Sequence, residues 1–174
     1  VIDDNVGVNG GFVLGGLTIV SADDVTLSGA AATVDLGSSG LTVTAATGDV
    51  EFDADVNSAG AIDINTATLT LDAAMTTTGG SNITVTNTGL AALNGLVTSA
   101  GTTTFDSTGA ITLGANIVST GAVLVNDSAI TLSGDRSIST TDANITLDEV
   151  LTDTNNDHVL TLTAGAGDIV IDDN

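Results

Sequence analysis

Oxygen-bearing side chains that could bind a metal ion are concentrated in the segment TDTNNDH, residues 152–158. Asp153, Asn155 and Asp157 alternate there, as they do at the start of a calcium-binding loop, because Ca²⁺ is coordinated by carboxylate and carbonyl oxygens. His158 stands where such a loop needs glycine, and no glutamate follows to bind the ion through both oxygens. The segment therefore predicts either calcium ligation by Asp153, Asn155 and Asp157 or a polar loop facing solvent.

Stacked carboxylates are a second candidate cation site. If consecutive turns of the chain lie about 5 Å apart, Asp53 would stand over Asp72, and Asp148 over Asp172. Carboxylates at that separation repel one another unless a cation or water lies between them.

The chain does not offer the residue types from which a catalytic site is assembled. Arg136 is the only basic residue, and it is predicted to be a corner side chain paired with a neighbouring aspartate. His158 is the only imidazole and has no cysteine or nucleophilic serine close to it in the sequence. Asp23 and Asp24 are adjacent, so their side chains would point apart in a strand. We therefore expect that the protein is not an enzyme.

Charge restricts the partners of the chain. Lys plus Arg total 1 against 22 Asp plus Glu, which gives a formal net charge of −21. Nucleic acids and anionic membranes are poor partners for such a surface, since both are bound through basic side chains. No apolar run is long enough to cross a bilayer, so we expect no membrane insertion. Cysteine is absent, so the 174 residues contain no disulfide or thiolate metal site.

The composition predicts strands joined by tight turns. Hydrophobic residues make up 42% of the chain but aromatic residues only 2%, so the core must consist of Val, Ile, Leu and Ala. There are 21 Gly and no Pro, and Thr recurs in alternation with apolar residues. This combination favours strands over helices.

A repeat of about 20 residues organises these strands. One template fits four successive segments: GDVEFDADVNSAG (48–60), ATLTLDAAMTTTG (67–79), LAALNGLVTSAG (90–101) and GAITLGANIVSTG (109–121). In each, an apolar residue is followed four places later by Gly. A second alternating stretch follows each Gly, and its period of 2 predicts a strand that is buried on one side.

No strand has a hairpin partner two residues away, so like strands must pair in parallel between successive coils. The sequence thus predicts an all-β fold, a parallel β-solenoid of about eight coils, with an ordinary β-sandwich as the alternative. The predicted coils start at Val25, Val50, Leu69, Ala91, Ile111, Ile130, Ile145 and Ile169. The step from Ile130 to Ile145 is too short for a full coil, and the next step contains the polar insert at 152–158.

Three columns of stacked side chains follow from this repeat. The first inward column is predicted to contain Phe52, Leu71, Leu93, Leu113, Leu132, Leu147 and Ile171. The second inward column is predicted to contain Ile64, Val85, Phe105 and Val125. An outward column is predicted to contain Thr70, Ala92, Thr112, Thr131 and Thr146, a row of threonines that ice-binding surfaces also present.

The coils resemble the repeats of the filamentous haemagglutinin type, found in two-partner-secretion and autotransporter adhesins of bacteria. The stretches GAITLGANIVSTGAVLV and GDIVIDDN carry the resemblance, which spans nearly the whole chain. It implies a right-handed β-helix that is secreted to the cell surface, where it serves as a stalk, adhesin or surface filament.

The pentapeptide VIDDN occurs at residues 1–5 and again at residues 170–174, a spacing of 169 residues. We interpret residues 1–174 as one continuous solenoid segment, about one 169-residue unit of a longer fibre. Its partner would be itself, through tandem or head-to-tail continuation, with lateral association of filaments as a further possibility. The expected end-to-end contact residues are Val1, Ile2, Val6, Ile169 and Ile171.

Two classes of function are compatible with these patterns. The first is a structural segment of an extracellular filament or giant adhesin stalk. The alternative is a surface binding module on a β-helix, for calcium, a glycan or ice. Apart from calcium, no cofactor is expected.

Overall fold

The computed structural model describes residues 6–9, 12–21, 23–29, 33–148, 151–153 and 155–172. These residues form an all-β chain of 22 strands, β1 to β22, and contain no helix. Within them, then, no helix has the length and apolar character needed to span a bilayer. The strands stack in parallel as a β-solenoid, which confirms the predicted fold class.

Each turn of the solenoid contributes one strand to each of three faces, named A, B and C in chain order. The strands of face A are β1 (Val6–Asn9), β4 (Val25–Ser28), β11 (Ala91–Leu93), β14 (Ala110–Leu113), β17 (Ala129–Leu132) and β20 (Leu151–Asp153). The strands of face B are β2 (Phe12–Leu14), β5 (Thr33–Leu36), β7 (Asp55–Ser58), β9 (Met75–Thr77), β12 (Val97–Ser99), β15 (Ile117–Ser119), β18 (Arg136–Thr140) and β21 (Leu160–Thr163). The strands of face C are β3 (Leu17–Val20), β10 (Ile83–Asn87), β13 (Thr103–Ser107), β16 (Val123–Asn126), β19 (Ile145–Leu147) and β22 (Ile169–Ile171).

Two long strands, β6 (Leu41–Phe52) and β8 (Ile62–Leu71), run along face C and continue around the corner into face A. They join faces A and C into one sheet of 14 strands, while face B is a separate sheet of eight. Each face therefore holds eight levels of strand separated by seven steps. The turns number about seven and recur about every 21 residues, against the predicted eight coils of about 20.

The inward side chains form continuous apolar columns because every strand stacks in register on its equivalent in the next turn. Ile64, Val85, Phe105 and Val125 pair successively along face C and are all buried, which confirms the predicted second column. On face B the equivalent column contains Val34, Val56, Met75, Val97, Ile117 and Ile138. Stacking of like side chains at every level is what buries the thin aliphatic core.

The predicted first column is correct from Phe52 to Leu132 but wrong in its last two members. Leu147 and Ile171 belong to face C, where Leu147 pairs with Val125 and Ile171 pairs with Leu147. On face A the next strand after β17 is β20, whose Leu151 pairs with Ile130. The short step to Ile145 was therefore not a coil but the distance from face A to face C within one turn.

The outward threonine column needs the same correction, because its last predicted member also belongs to face C. Thr70, Ala92, Thr112 and Thr131 stack on face A as predicted. Thr146 lies on face C, and Thr152 takes its place above Thr131, with their hydroxyl oxygens 2.8 Å apart. Toward the N-terminus the column continues through Glu51 to Thr26.

The corners are tight enough to require glycine at particular points. Gly40 has φ +71°, a left-handed conformation, and a side chain there would collide with the backbone of Ala61 one turn later. Buried hydroxyls bond to other corner backbone groups, as when Ser58 Oγ donates to the Gly60 carbonyl at 2.9 Å. The core thus extends to the corners without leaving those groups unpaired.

Candidate functional site

On faces A and C, the last turn of the solenoid exposes inward side chains that stack directly on fully buried ones. Ile145 and Leu147 on face C are 0% exposed, whereas Ile169 and Ile171, which stack directly on them, are 46% and 52% exposed. On face A, Leu151 is 37% exposed above the fully buried Ile130. We call five apolar inward side chains of the last turn the apolar end: Leu151, Leu160, Leu162, Ile169 and Ile171.

In the part of the chain that the structure describes, the three strands of the last turn also have an unpaired backbone edge on the side where these side chains are exposed. Within the described residues, β20, β21 and β22 pair with β17, β18 and β19 respectively and have no strand on their other side. The apolar end is therefore surrounded by three strand edges that carry backbone donors and acceptors. Such an edge is a template for another β-strand.

The residues predicted to form an end-to-end contact divide between the two ends of the rod. Ile169 and Ile171 lie in the apolar end. Val6 lies in β1 at the opposite end, where it pairs with Val25. Val1 and Ile2 fall outside the described residues.

No family model matches the chain, and no curated protein or solved structure is significantly similar to it.

The predicted calcium segment forms a loop beside the apolar end, centred on Asp153. The Asp153 carboxylate accepts hydrogen bonds from the backbone N–H of His158 at 2.9 Å and of Asn155 at 3.3 Å. His158 Nδ1 lies 2.6 Å from Asp153 Oδ1, and its Nε2 lies 3.5 Å from Asp157 Oδ1. The hydrogen bond from the His158 backbone N–H, the largest influence, holds the pKa of Asp153 below its ordinary value.

Asp153, Asp157 and His158 can each place a ligand atom within 4.8 Å of the other two. The structure thus brings together two of the three predicted ligands and adds an imidazole, which binds transition metals better than Ca²⁺. Asn155 contributes its backbone N–H to Asp153, and calcium ligation by this segment stays a prediction. Asp153 itself occupies the inward column of face A, stacked on Leu132, a position that the sequence analysis missed.

The predicted stacks of corner carboxylates are present. Asp53 and Asp72 are at consecutive levels, and together with Glu51 they form a second group whose oxygens lie within 4.8 Å. Asp72 Oδ1 also accepts a hydrogen bond of 2.8 Å from Asn94 Nδ2, one turn later. The other predicted stack, Asp148 below Asp172, follows from the pairing of Leu147 with Ile171.

Many Asp and Asn side chains bond to the next turn, a role that the sequence analysis missed. Eleven such bonds share one direction, because the side-chain oxygen lies on the earlier turn and the donor on the later turn. The acceptors are Asp24, Asp35, Asp49, Asp55, Asp72, Asn82, Asp106, Asn116, Asp135, Asp142 and Asn144. The signal was available, since Asp followed about 20 residues later by Asn recurs in Asp72 with Asn94 and in Asp106 with Asn126.

A polar groove of about 420 Å³ lies on face B around the only basic side chain. It is lined by Asn116, Asp135, Arg136, Ser137, Val159 and Thr161. Arg136 Nη1 donates to the backbone carbonyl of Asp135 at 2.7 Å, so its contact with that residue is not through the carboxylate. Amide, guanidinium, hydroxyl and carboxylate groups in one groove could bind the hydroxyls of a sugar.

Proposed function

We propose that this chain is a structural segment of an extracellular filament or adhesin stalk, and that its solenoid continues end to end into another copy. The observation that carries the proposal is the apolar end, where the core columns reach the surface without a polar cover at Ile169 and Ile171. Burial of these side chains under a further turn would remove apolar surface from water and pair three open strand edges.

The opposite end has the matching architecture. Face A begins with β1, face B with β2 and face C with β3, so a second copy would place its strands over β20, β21 and β22 in the same order. Each copy would add eight levels of strand at about 4.8 Å each, an axial repeat of about 38 Å. Continuation could occur as tandem copies in one longer chain or as head-to-tail association of separate chains.

The acidity of the chain sets the conditions for this contact. With a net charge of −21, two copies repel one another at low ionic strength. At about 0.15 M salt the Debye length falls to about 8 Å, so the repulsion is largely confined to groups at the contact itself. End-to-end association should therefore strengthen as salt is added.

Adjacent substitutions in one strand test the contact. Ile171→Asp places a charge on the apolar end, and the matched control Val170→Asp adds the same charge to the same strand, in the outward column above Thr146. We expect wild type and Val170→Asp to form fibres with an axial repeat of about 38 Å in electron micrographs and large species in sedimentation velocity. Ile171→Asp should sediment as a monomer. A wild type that stays monomeric at high concentration and salt, or two variants that behave alike, would refute the proposal.

A calcium-dependent binding module is the second candidate function, favoured by the convergence of Asp153, Asp157 and His158. Titration calorimetry with Ca²⁺ on wild type and on Asp157→Asn is the direct test. Heat of binding in the wild type that disappears in the variant would support the candidate. Equal and negligible heats, together with melting curves that a chelator does not change, would reject it.

A further inference from the structure

We infer that Asp168 fixes the direction and register of the end-to-end contact, because its carboxylate accepts the backbone N–H of Gly16 in a second copy of this chain. The inference rests on the proposed function and names the polar half of a contact whose other half is the apolar end. It follows from one column of residues that lies at the corner between faces B and C.

This corner column contains the residue that precedes each strand of face C. Its members are Gly16, Gly40, Ala61, Asn82, Thr102, Ala122, Asn144 and Asp168. At each step the N–H of the first strand residue donates to the carbonyl of the corner residue one turn later, as Val123 does to Asn144 and Ile145 to Asp168, both at 2.9 Å. The column thus repeats one backbone bond at every level.

Where the corner residue carries a side-chain carbonyl, a second bond is added at that step. Asn82 Oδ1 accepts the N–H of Thr102, and Asn144 Oδ1 accepts the N–H of Asp168, each at 2.9 Å. Asp168 is the third member of the column with such an oxygen, and it is exposed in the last turn. The residue at this position in the first described turn is Gly16, whose N–H would occupy the place that Thr102 and Asp168 take above the two asparagines.

The direction of these bonds explains why the contact would be head to tail. In the eleven inter-turn bonds accepted by Asp and Asn, the oxygen belongs to the earlier turn and the donor to the later one. By this pattern the end that contains β22 presents side-chain acceptors, and the end that contains β1 presents the donors, which are backbone N–H groups in seven of the eleven bonds. Two identical ends brought together would oppose acceptor to acceptor.

Three substitutions distinguish the effect of the acceptor oxygen of Asp168 from the effect of its negative charge. Asp168→Asn keeps a carbonyl oxygen and removes the charge, whereas Asp168→Ala removes both. Asp172→Ala is the control and removes one negative charge from the same end. The residue equivalent to Asp172 in the first described turn is Val20, which carries no side-chain donor. We expect Asp168→Ala to weaken self-association about five- to tenfold, as for one lost hydrogen bond at a contact. Asp168→Asn and Asp172→Ala should match the wild type or associate more tightly.

Sedimentation equilibrium at about 0.15 M salt measures these dissociation constants, with circular dichroism to show that each variant is folded. Equal affinities for Asp168→Ala and Asp172→Ala would overturn the role of Asp168 while leaving end-to-end association intact. A wild type that does not self-associate would overturn both. Within one chain, Asn144→Ala should lower the melting temperature more than Asn144→Asp does at high salt. The reverse order would overturn the inference that a side-chain oxygen at this corner stabilises the next turn by accepting its N–H.

Discussion

The middle and the C-terminal turns of the rod share one core pattern but differ in charge and in burial. Residues 73–134 contain two acidic side chains, Asp106 and Asp127, and no basic one, whereas residues 135–174 contain nine acidic side chains and Arg136. In the middle the inward columns are buried, and in the last turn they are half exposed. The difference teaches that stacked apolar columns form where the sequence carries almost no charge, while the acidic side chains are concentrated outside the middle turns.

The largest expected effect is on the free energy of unfolding, because the core is packed more completely in the middle turns than in the last turn. Phe105 is buried in the middle of the face C column, and Ile171 ends the same column. Phe105→Ala should lower the free energy of unfolding by about 3–5 kcal/mol, because the thin core cannot fill the cavity. Ile171→Ala should cost less than about 1 kcal/mol, since half of that side chain already contacts water. Urea unfolding followed by circular dichroism measures both, and similar losses would show that the last turn is as well packed as the middle.

A second prediction concerns how a charge is tolerated in the middle turns. Asn94→Asp replaces the donor to Asp72 with a second carboxylate at the next level. We expect a loss of about 1–2 kcal/mol at low ionic strength, most of it recovered in about 1 M salt. The control is Thr98→Asp, which lies between Thr76 and Val118 and adds the same charge without a stacked carboxylate. A salt dependence shared by both variants would contradict the explanation.

The corrected register on face A predicts a smaller effect. The hydroxyls of Thr131 and Thr152 are 2.8 Å apart, whereas Thr146 lies on face C. In a double-mutant cycle, Thr131→Val and Thr152→Val should couple by about 0.5 kcal/mol. Thr131→Val and Thr146→Val should be additive. Coupling of the second pair but not the first would restore the register that the sequence alone suggested.

The smallest effect is expected from Asp153, because its carboxylate lies near the surface of the last turn. The backbone N–H of His158 lowers the pKa of Asp153 in the folded chain. Since the folded pKa is below the unfolded one, the carboxylate adds stability above the unfolded pKa, and that contribution is lost as the pH falls below about 4. Wild type should therefore lose its advantage over Asp153→Asn in urea as the pH falls from 5 through the folded pKa of Asp153. An unchanged difference between the two proteins would contradict this assignment.

The sequence predicted the middle turns well because the spacing there is nearly constant. The predicted coil starts Leu69, Ala91, Ile111 and Ile130 follow one another at 22, 20 and 19 residues, and all four are buried and stacked on face A. The C-terminal turns were misread because Ile145 carries the same alternating pattern on a different face. Alternation shows which side of a strand is buried, but not the face to which the strand belongs.

The candidate site was predictable in part for a similar reason. Ile169 and Ile171 were predicted as contact residues from their place in the repeat, and both are exposed in the structure. The contact of His158 with Asp153 could not be predicted, because it depends on the path of the loop between β20 and β21 rather than on spacing. The hydrogen bonds between turns were predictable only in part. Their period of about 20 residues is visible in the sequence, but the turn that supplies the acceptor is not.

Hydrogen bonds that run from turn to turn also determine how the rod would respond to tension. Each turn is held only by its neighbours, so a force that pulls the two chain ends apart loads the outermost turn first. Peeling one turn releases about 21 residues, which is about 70 Å of extended chain. A stalk made of such turns would lengthen in many small steps under load, and each step would dissipate energy before the next turn is strained.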